Sequence, residues 1–259
     1  MLKKLFKIGP KKDDTIQVWT TMKGLSGVVP VQESSHFMPD WFVKTPKWKN
    51  EKLDNESNKK DNVNHKGTIK RCPAVPEFMG MGITIPLWCD LRVKIFDDGS
   101  FEWNTPAEQF GFVQHDRTQL YEWVPSYAKP TIVLKAECPW RIKTPPGVSL
   151  LQLPMLWHFN PNFTVCSGVI WTDIHYEINQ QMMFHKKGEI LIQRGTPLAQ
   201  YIPIRRESFN YDVGEQTPEQ QTLAQESWLH IRTKFQSAYP LHRKNVAKKE
   251  LEKCPYPKK

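Results

Sequence analysis

The sequence predicts an all-β domain with an N-terminal wrapping arm and one C-terminal amphipathic helix. Three observations lead there. Apolar and polar residues alternate at strand spacing through most of the middle of the chain, glycine and proline cut that pattern into short lengths, and helical periodicity is confined to one stretch after residue 216. A length of 259 residues is within what β-sandwiches and barrels reach as single domains. Residues 16–243 therefore read as one domain between basic tails at 1–15 and 244–259.

In chain order, Ile16 to Thr20 reads as a first short strand. Gly24 to Trp48 is an irregular arm expected to wrap the core through Phe37, Trp41, Phe42 and Trp48. Residues 49–66 hold almost no apolar side chains and many Asn, Lys and Asp, too little buried surface to offset ordering entropy, so they predict a mobile loop. Leu91, Val93 and Ile95 alternate into an Asp97-Asp98-Gly99 turn and Phe101 and Trp103 alternate out of it, a hairpin pattern. Strands follow at Thr131 to Glu137 and Val148 to Leu153, with turns expected at Cys138-Pro139-Trp140 and at Thr144-Pro145-Pro146-Gly147. Gly168 to Arg206 alternates again and turns at Arg194-Gly195-Thr196-Pro197. Last, Thr217, Pro218 and Gln220 supply the cap hydroxyl, first-turn proline and reciprocal amide of a helix start. Ala224, Trp228, Ile231 and Phe235 recur at helical spacing, predicting a helix over 217–239 with Trp228 as a buried anchor.

The net charge of +9 raises the question of polyanionic partners, but much of it sits at the ends. Five lysines fall in the first twelve residues and six, against two glutamates, in the last sixteen. Such tails are expected to make weak polyanion contacts, and no recognition-helix, zinc-finger or aromatic RNA-binding motif accompanies them. The five cysteines are scattered without a Cys-x-x-Cys pair, which favours a reducing compartment over a zinc or redox site. No apolar run approaches membrane-spanning length and the first residues lack a signal-peptide core, so the sequence predicts neither membrane association nor secretion by signal peptide.

Between residues 173 and 189 lie five acidic or imidazole side chains: Asp173, His175, Glu177, His185 and Glu189. On one strand, period two puts Asp173, His175 and Glu177 on one face with Trp171, and Ile170, Thr172, Ile174, Tyr176 and Ile178 on the other. The acid-imidazole-acid set, with His158 or His185 as a third ligand, has the composition of a metal or proton-moving site and also that of a solvated sheet face. Because the isoleucine face is the better core face, the polar face is expected to be exposed in the monomer, at an interface or in a shallow groove with Trp171 as its wall. The pattern names no cofactor and leaves both metal binding and catalysis open.

Three resemblances add to this reading. The segments TIKRCP, IPLWCD, CPWRIKTPPGVSLLQLP, GVIWTDIHYEINQQ and RGTPLAQYIP, within residues 16–206, resemble an uncharacterised family of bacterial and tailed-phage proteins, which implies origin but no activity. The order PPGVSLL, GVIWTDI, RGTPLAQ is similar to that of the phosphate-binding, aspartate-bearing and Gly-x-x-x-Ala-Gln segments of dUTPases and their dCTP deaminase relatives. That resemblance implies a jelly-roll or β-clip-like distorted barrel, with Ser149 meeting phosphate and Gln200 lining a nucleotide channel. Trp171 stands where dUTPases carry an acid, Ile174 where they carry a tyrosine and Gly147 where they carry an arginine, and a tryptophan accepts no sugar hydroxyl. Third, His175-x-Glu177 with Gly188-Glu189 and Gly195-Thr196-Pro197 resembles cupin motifs, which implies a metal-dependent oxygenase or isomerase, although Leu198 and Ala199 stand where the second motif places a histidine.

The function expected from these readings is that of a non-catalytic binding or structural and assembly protein of phage or bacterial origin, partnered by its own copies or by virion proteins, in the host cytoplasm or the particle. A cupin-like metal enzyme and a divergent nucleotide-binding protein of the dUTPase-like fold are the alternatives.

Overall fold

The structure, a computed structural model, describes residues 14–51, 64–108, 110–120 and 123–232. The strands are β1 (Gln17–Thr20), β2 (Gln32–Glu33), β3 (Trp48–Glu51), β4 (Asn64–Gly67), β5 (Ile83–Pro86), β6 (Leu91–Ile95), β7 (Phe101–Asn104), β8 (Phe112–Gln114), β9 (Ile132–Lys143), β10 (Val148–Pro154), β11 (Phe163–Val165), β12 (Gly168–Ile170), β13 (Glu177–Phe184), β14 (Gly188–Ile192) and β15 (Pro197–Arg205). The helices are α1 (Leu25–Val28), α2 (Asp40–Lys44), α3 (Ala74–Met79), α4 (Arg117–Leu120) and α5 (Pro218–Arg232). Of the described residues, 14–206 belong to one compact unit and 207–232 to another.

The first unit is all-β, as predicted. One five-stranded sheet has the order β1-β9-β13-β11, with β8 also on β9, and a second has the order β12-β10-β15-β5-β2. A three-stranded sheet β14-β6-β7 and the ribbon β3-β4 complete the set, with antiparallel pairing throughout and no closed barrel among the described residues. Alternation explains which faces meet. Along β6 Leu91, Val93 and Ile95 are buried, and along β13 Ile178, Gln180, Met182 and Phe184 are buried. The apolar members of these sets, with Leu134, Ala136 and Ile142 of β9, Leu150 of β10 and Tyr201 of β15, make one continuous core, and Gln180 is a buried polar side chain on the same face of β13.

Several expectations are corrected. Cys138-Pro139-Trp140 is no turn: β9 runs through it for twelve residues. Proline is tolerated because the register against β13 shifts there, from Glu177 opposite Arg141 to Asn179 opposite Glu137, and a bulge asks for no ladder hydrogen bond at that point. The Arg194–Pro197 turn is present, with Gly195 at φ 86, yet it joins strands of different sheets, since β14 pairs with β6 and β15 with β10 and β5. In the arm, Leu25, Val29 and Phe42 are buried, whereas Trp41 is 36 % exposed. The polar segment 49–66 begins and ends in the β3-β4 ribbon, and its residues 52–63 lie outside the described residues.

The predicted strand from Gly168 to Ile178 is broken in two. After β12 the chain turns, with the Ile174 and His175 N–H groups donating to the Trp171 carbonyl at 3.0 and 2.8 Å, and β13 starts only at Glu177. The cause is Thr172, whose fully buried hydroxyl lies 2.8 Å from that of Thr144. Because Thr144 spends its proton on the Val148 carbonyl at 2.6 Å, Thr172 is the donor to Thr144. This pin pulls the chain inward at one residue and rotates its neighbours, so the period-two faces dissolve and Ile174 is 67 % exposed instead of buried.

In the second unit, α5 starts with the predicted capping box. Gln220 N–H donates to Thr217 Oγ1 at 3.2 Å and Thr217 N–H to Gln220 Oε1 at 2.9 Å. Trp228, expected as a buried anchor, is 54 % exposed, and Leu223 is exposed as well. The predicted helix residues 233–239 and nearly all of both basic tails lie outside the described residues.

Candidate functional site

The Thr144–Thr172 pin brings the Pro-Pro-Gly turn against the Trp171–Ile174 turn. Gly147, at φ 76, turns the backbone so that its N–H donates to Asp173 Oδ2 at 3.0 Å. Arg206, just past β15, reaches the same place because its own N–H is held by the Gly147 carbonyl at 2.9 Å. Its Nη1 donates to Asp173 Oδ1 at 2.9 Å and to Ser149 Oγ at 2.7 Å, and its Nη2 donates to Asp173 Oδ2. The guanidinium plane lies 4.3 Å from the Trp171 ring, a cation–π contact. Hydrogen bonds from Arg206 hold the Asp173 carboxyl down at about 2, with burial opposing and the Gly147 N–H reinforcing, and Asp173 raises Arg206 in return. Both oxygens of this carboxylate are occupied by donors, as in a bidentate structural pair. Chemically the arrangement is a latch that closes three segments of chain.

The other residues of the predicted face go elsewhere. His175 is exposed, and Glu177 pairs with Arg141 of β9 at 3.2 Å. His185 Nε2 shares a 2.7 Å hydrogen bond with Thr164 Oγ1 on β11. His158 Nε2–H donates to the Phe37 carbonyl at 2.7 Å, and burial lowers its affinity for a proton. Among the described residues no three His, Cys, Asp or Glu side chains gather as a ligand set. The shared face of Asp173, His175 and Glu177 is thus corrected for the same reason as the strand that carried it. Ser149 is fully buried under Arg206, and Gln200 is turned inward, its amide donating to the Phe78 and Met81 carbonyls at 2.8 and 2.6 Å. The latter bonds fix the end of α3.

A second surface escaped the sequence reading. Trp41 of α2 lies with Trp157 and Phe159 in a cluster whose ring centroids are 5.8 to 6.3 Å apart, and Trp41 Nε1–H donates to the Trp157 carbonyl at 2.8 Å. Phe159 has φ 49, the one described non-glycine residue with positive φ, and its side chain is 66 % exposed. A bulky side chain in that region costs about 1–3 kcal/mol, which burial of the ring does not recover. Next to Phe159 opens a groove of about 380 Å³ whose lining includes Asn160, Asn162, Phe163 and Thr164. Among the described residues no Asp, Glu, Lys or Arg lines it. The signal available in sequence was MLWHFNPNF, where three aromatic rings crowd an Asn-Pro turn without strand or helix periodicity.

No protein-family model and no curated protein sequence matches the chain. Among solved structures, the chain has a weak likeness to native EIAV dUTPase, with 14 % sequence identity, 48 % of this chain and 91 % of that chain covered, and a TM-score of 0.27. Among the described residues no helix is long and apolar enough to cross a membrane.

Proposed function

We propose that this protein acts by binding, as a structural or assembly component of phage or bacterial origin, with its own copies or virion proteins as partners. The supporting observation is the commitment of the singled-out polar side chains to the fold: Asp173 to Arg206, Glu177 to Arg141, His185 to Thr164 and His158 to the Phe37 carbonyl. Side chains held this way position backbone segments. The Lys-rich ends add weak attraction for polyanions, and the place of action is the host cytoplasm or the particle. Elemental analysis of protein purified without chelator tests the reading, with sub-stoichiometric iron, manganese and zinc expected. Near-stoichiometric metal overturns it. Light scattering after size exclusion tests the assembly role: a defined oligomer is expected, and a strict monomer removes that part.

The nucleotide reading is favoured by one observation, the convergence of Gly147, Ser149 and Asp173 at the latch. It requires Arg206 to leave Ser149 and Asp173 when a phosphate arrives. Saturating dUTP or dCTP then raises the melting temperature by about 5–10 °C, since ligand at 100-fold over Kd adds roughly 2.7 kcal/mol and a domain of this size gains about 2–4 °C per kcal/mol. An unchanged melting temperature excludes it.

A further inference from the structure

Trp41, Trp157 and Phe159 present ring surface to solvent in a fixed arrangement. The Trp41 indole is tied to the Trp157 backbone at 2.8 Å, and Phe159, two thirds exposed, keeps a left-handed backbone whose cost its partly buried ring offsets only in part. Strain kept at an exposed aromatic residue points to use of the ring by a ligand. Planar ring surface is offered most directly to planar or flat-faced ligands, and the charges around the rings narrow the class.

Those charges are cationic on the Trp41 side. Lys44 lies one helical turn after Trp41 on α2, with Lys47 and Lys49 following, all exposed. Lys70 Nζ donates to the Val43 and Thr45 carbonyls at the end of α2, at 2.7 and 3.0 Å, and stands 5.7 Å over the Phe42 ring. Arg71 stacks on Trp48 at 3.6 Å. Across 40–49 and 67–71 the described side chains thus include five cations and a single acid, Asp40, which pairs with Lys44 at 2.9 Å. On the Phe159 side, the described residues lining the groove supply amides, hydroxyls, the His158 imidazole and apolar groups, and no Asp, Glu, Lys or Arg. Exposed rings, an uncharged recess beside them and a cationic border make the pattern by which unpaired bases stack while phosphates are neutralised. A duplex hides its base faces, a neutral sugar leaves the cations unused, and a polyanion without rings leaves the aromatic surface unused.

We propose that this surface binds single-stranded nucleic acid, with bases stacked on Trp41, Trp157 and Phe159, an adjoining base in the groove, and phosphates along Lys44, Lys47, Lys49 and Lys70. The proposal rests on the binding reading above and gives it a ligand class. It concerns the folded body and is separate from any weak attraction of the Lys-rich ends.

The test is a fluorescence-anisotropy titration of the full chain with labelled dT12, with a 12-base-pair duplex and with heparin as comparisons, at several salt concentrations. Tighter binding of dT12 than of the duplex is expected. Phe159→Gly and Trp41→Ala each weaken dT12 binding by at least about 5-fold, the fold-change of one lost base stack, and leave heparin binding unchanged. Lys44→Gln with Lys47→Gln lowers the slope of log K against log salt by about 0.7 per lysine. Phe159→Asn, which suits the same backbone conformation, repeats the ring test should either first variant fold poorly. Equal binding of dT12 by the ring variants and the parent overturns the proposal in favour of a simple polyanion surface, as does equal or tighter binding of duplex. Absence of dT12 binding overturns it too. In that case metal content and oligomeric state still decide the binding and assembly reading on their own.

Discussion

Replacement of Phe159 separates backbone strain from packing, because the two contributions have opposite sign at this residue. With φ at 49, any side chain beyond glycine pays for the left-handed conformation, about 1–2 kcal/mol. The ring is 66 % exposed, so roughly a third of the 1.5–3 kcal/mol available from full burial is at stake, about 0.5–1 kcal/mol. Glycine adds about 0.5–1 kcal/mol of unfolded-state entropy to be lost on folding. For Phe159→Gly these contributions nearly cancel, and the variant is expected within about 1 kcal/mol of the parent, far from the 3–5 kcal/mol that truncation of a buried phenylalanine costs. Phe159→Ala loses the same ring contacts without relieving the backbone, so it is expected to be the less stable of the two by about 1 kcal/mol, the reverse of the usual order of alanine and glycine. Urea denaturation followed by circular dichroism, with the m-value checked for constancy, measures both. An alanine variant as stable as the glycine variant refutes the strain argument, and a loss above about 2 kcal/mol for glycine shows that the ring is structural.

Three further outcomes follow from the core and the latch. Because the folded pKa of Asp173 lies at about 2, below its ordinary value of 3.8, its pair with Arg206 stabilises the fold above pH 4 and that contribution is lost as pH falls through about 2. The melting-temperature advantage of the parent over Asp173→Asn should therefore shrink between pH 5 and pH 2, and an advantage independent of pH contradicts the assignment. Tyr201→Phe removes the acceptor of the buried Gln180 amide, which donates at 3.1 Å, and is expected to cost about 1–3 kcal/mol in denaturation, whereas Tyr201→Phe with Gln180→Leu recovers much of that loss; equal losses in single and double variants refute the pairing. A Cβ on Gly82, at φ 70, would fall on the Tyr201 backbone carbonyl, while the nearest atoms to one on Gly111 belong to the movable Glu137 side chain. Gly82→Ala should then sharply lower the yield of folded protein and Gly111→Ala leave it near the parent level, with similar yields counting against the close approach of the chain before β5 to β15.

What the sequence determined by itself was whatever local chemistry settles. Leu91, Val93 and Ile95 around Asp97-Asp98-Gly99 define their hairpin because alternation and turn geometry act within a dozen residues, and Thr217 with Gln220 defines the start of α5 because a capping box closes on itself. Gly147 and Gly195 mark turns because positive φ favours glycine. The tertiary structure decided the rest. Thr172 reads as one more alternating residue until Thr144, 28 positions earlier, supplies a buried partner that turns the chain and scatters Asp173, His175 and Glu177. Pro139 reads as a break until a bulge in the pairing of β9 with β13 makes its missing N–H harmless. Arg206 carries no motif, and only the approach of the Gly147 carbonyl to its N–H brings its guanidinium to Asp173 and Ser149. Trp41 and Trp157 stand 116 positions apart and become one surface through a single indole hydrogen bond. Periodicity reports which way a side chain points on an ideal element, whereas burial of a hydroxyl, a bulge or a ring contact depends on partners far along the chain, and those partners decided where this protein holds its polar and aromatic groups.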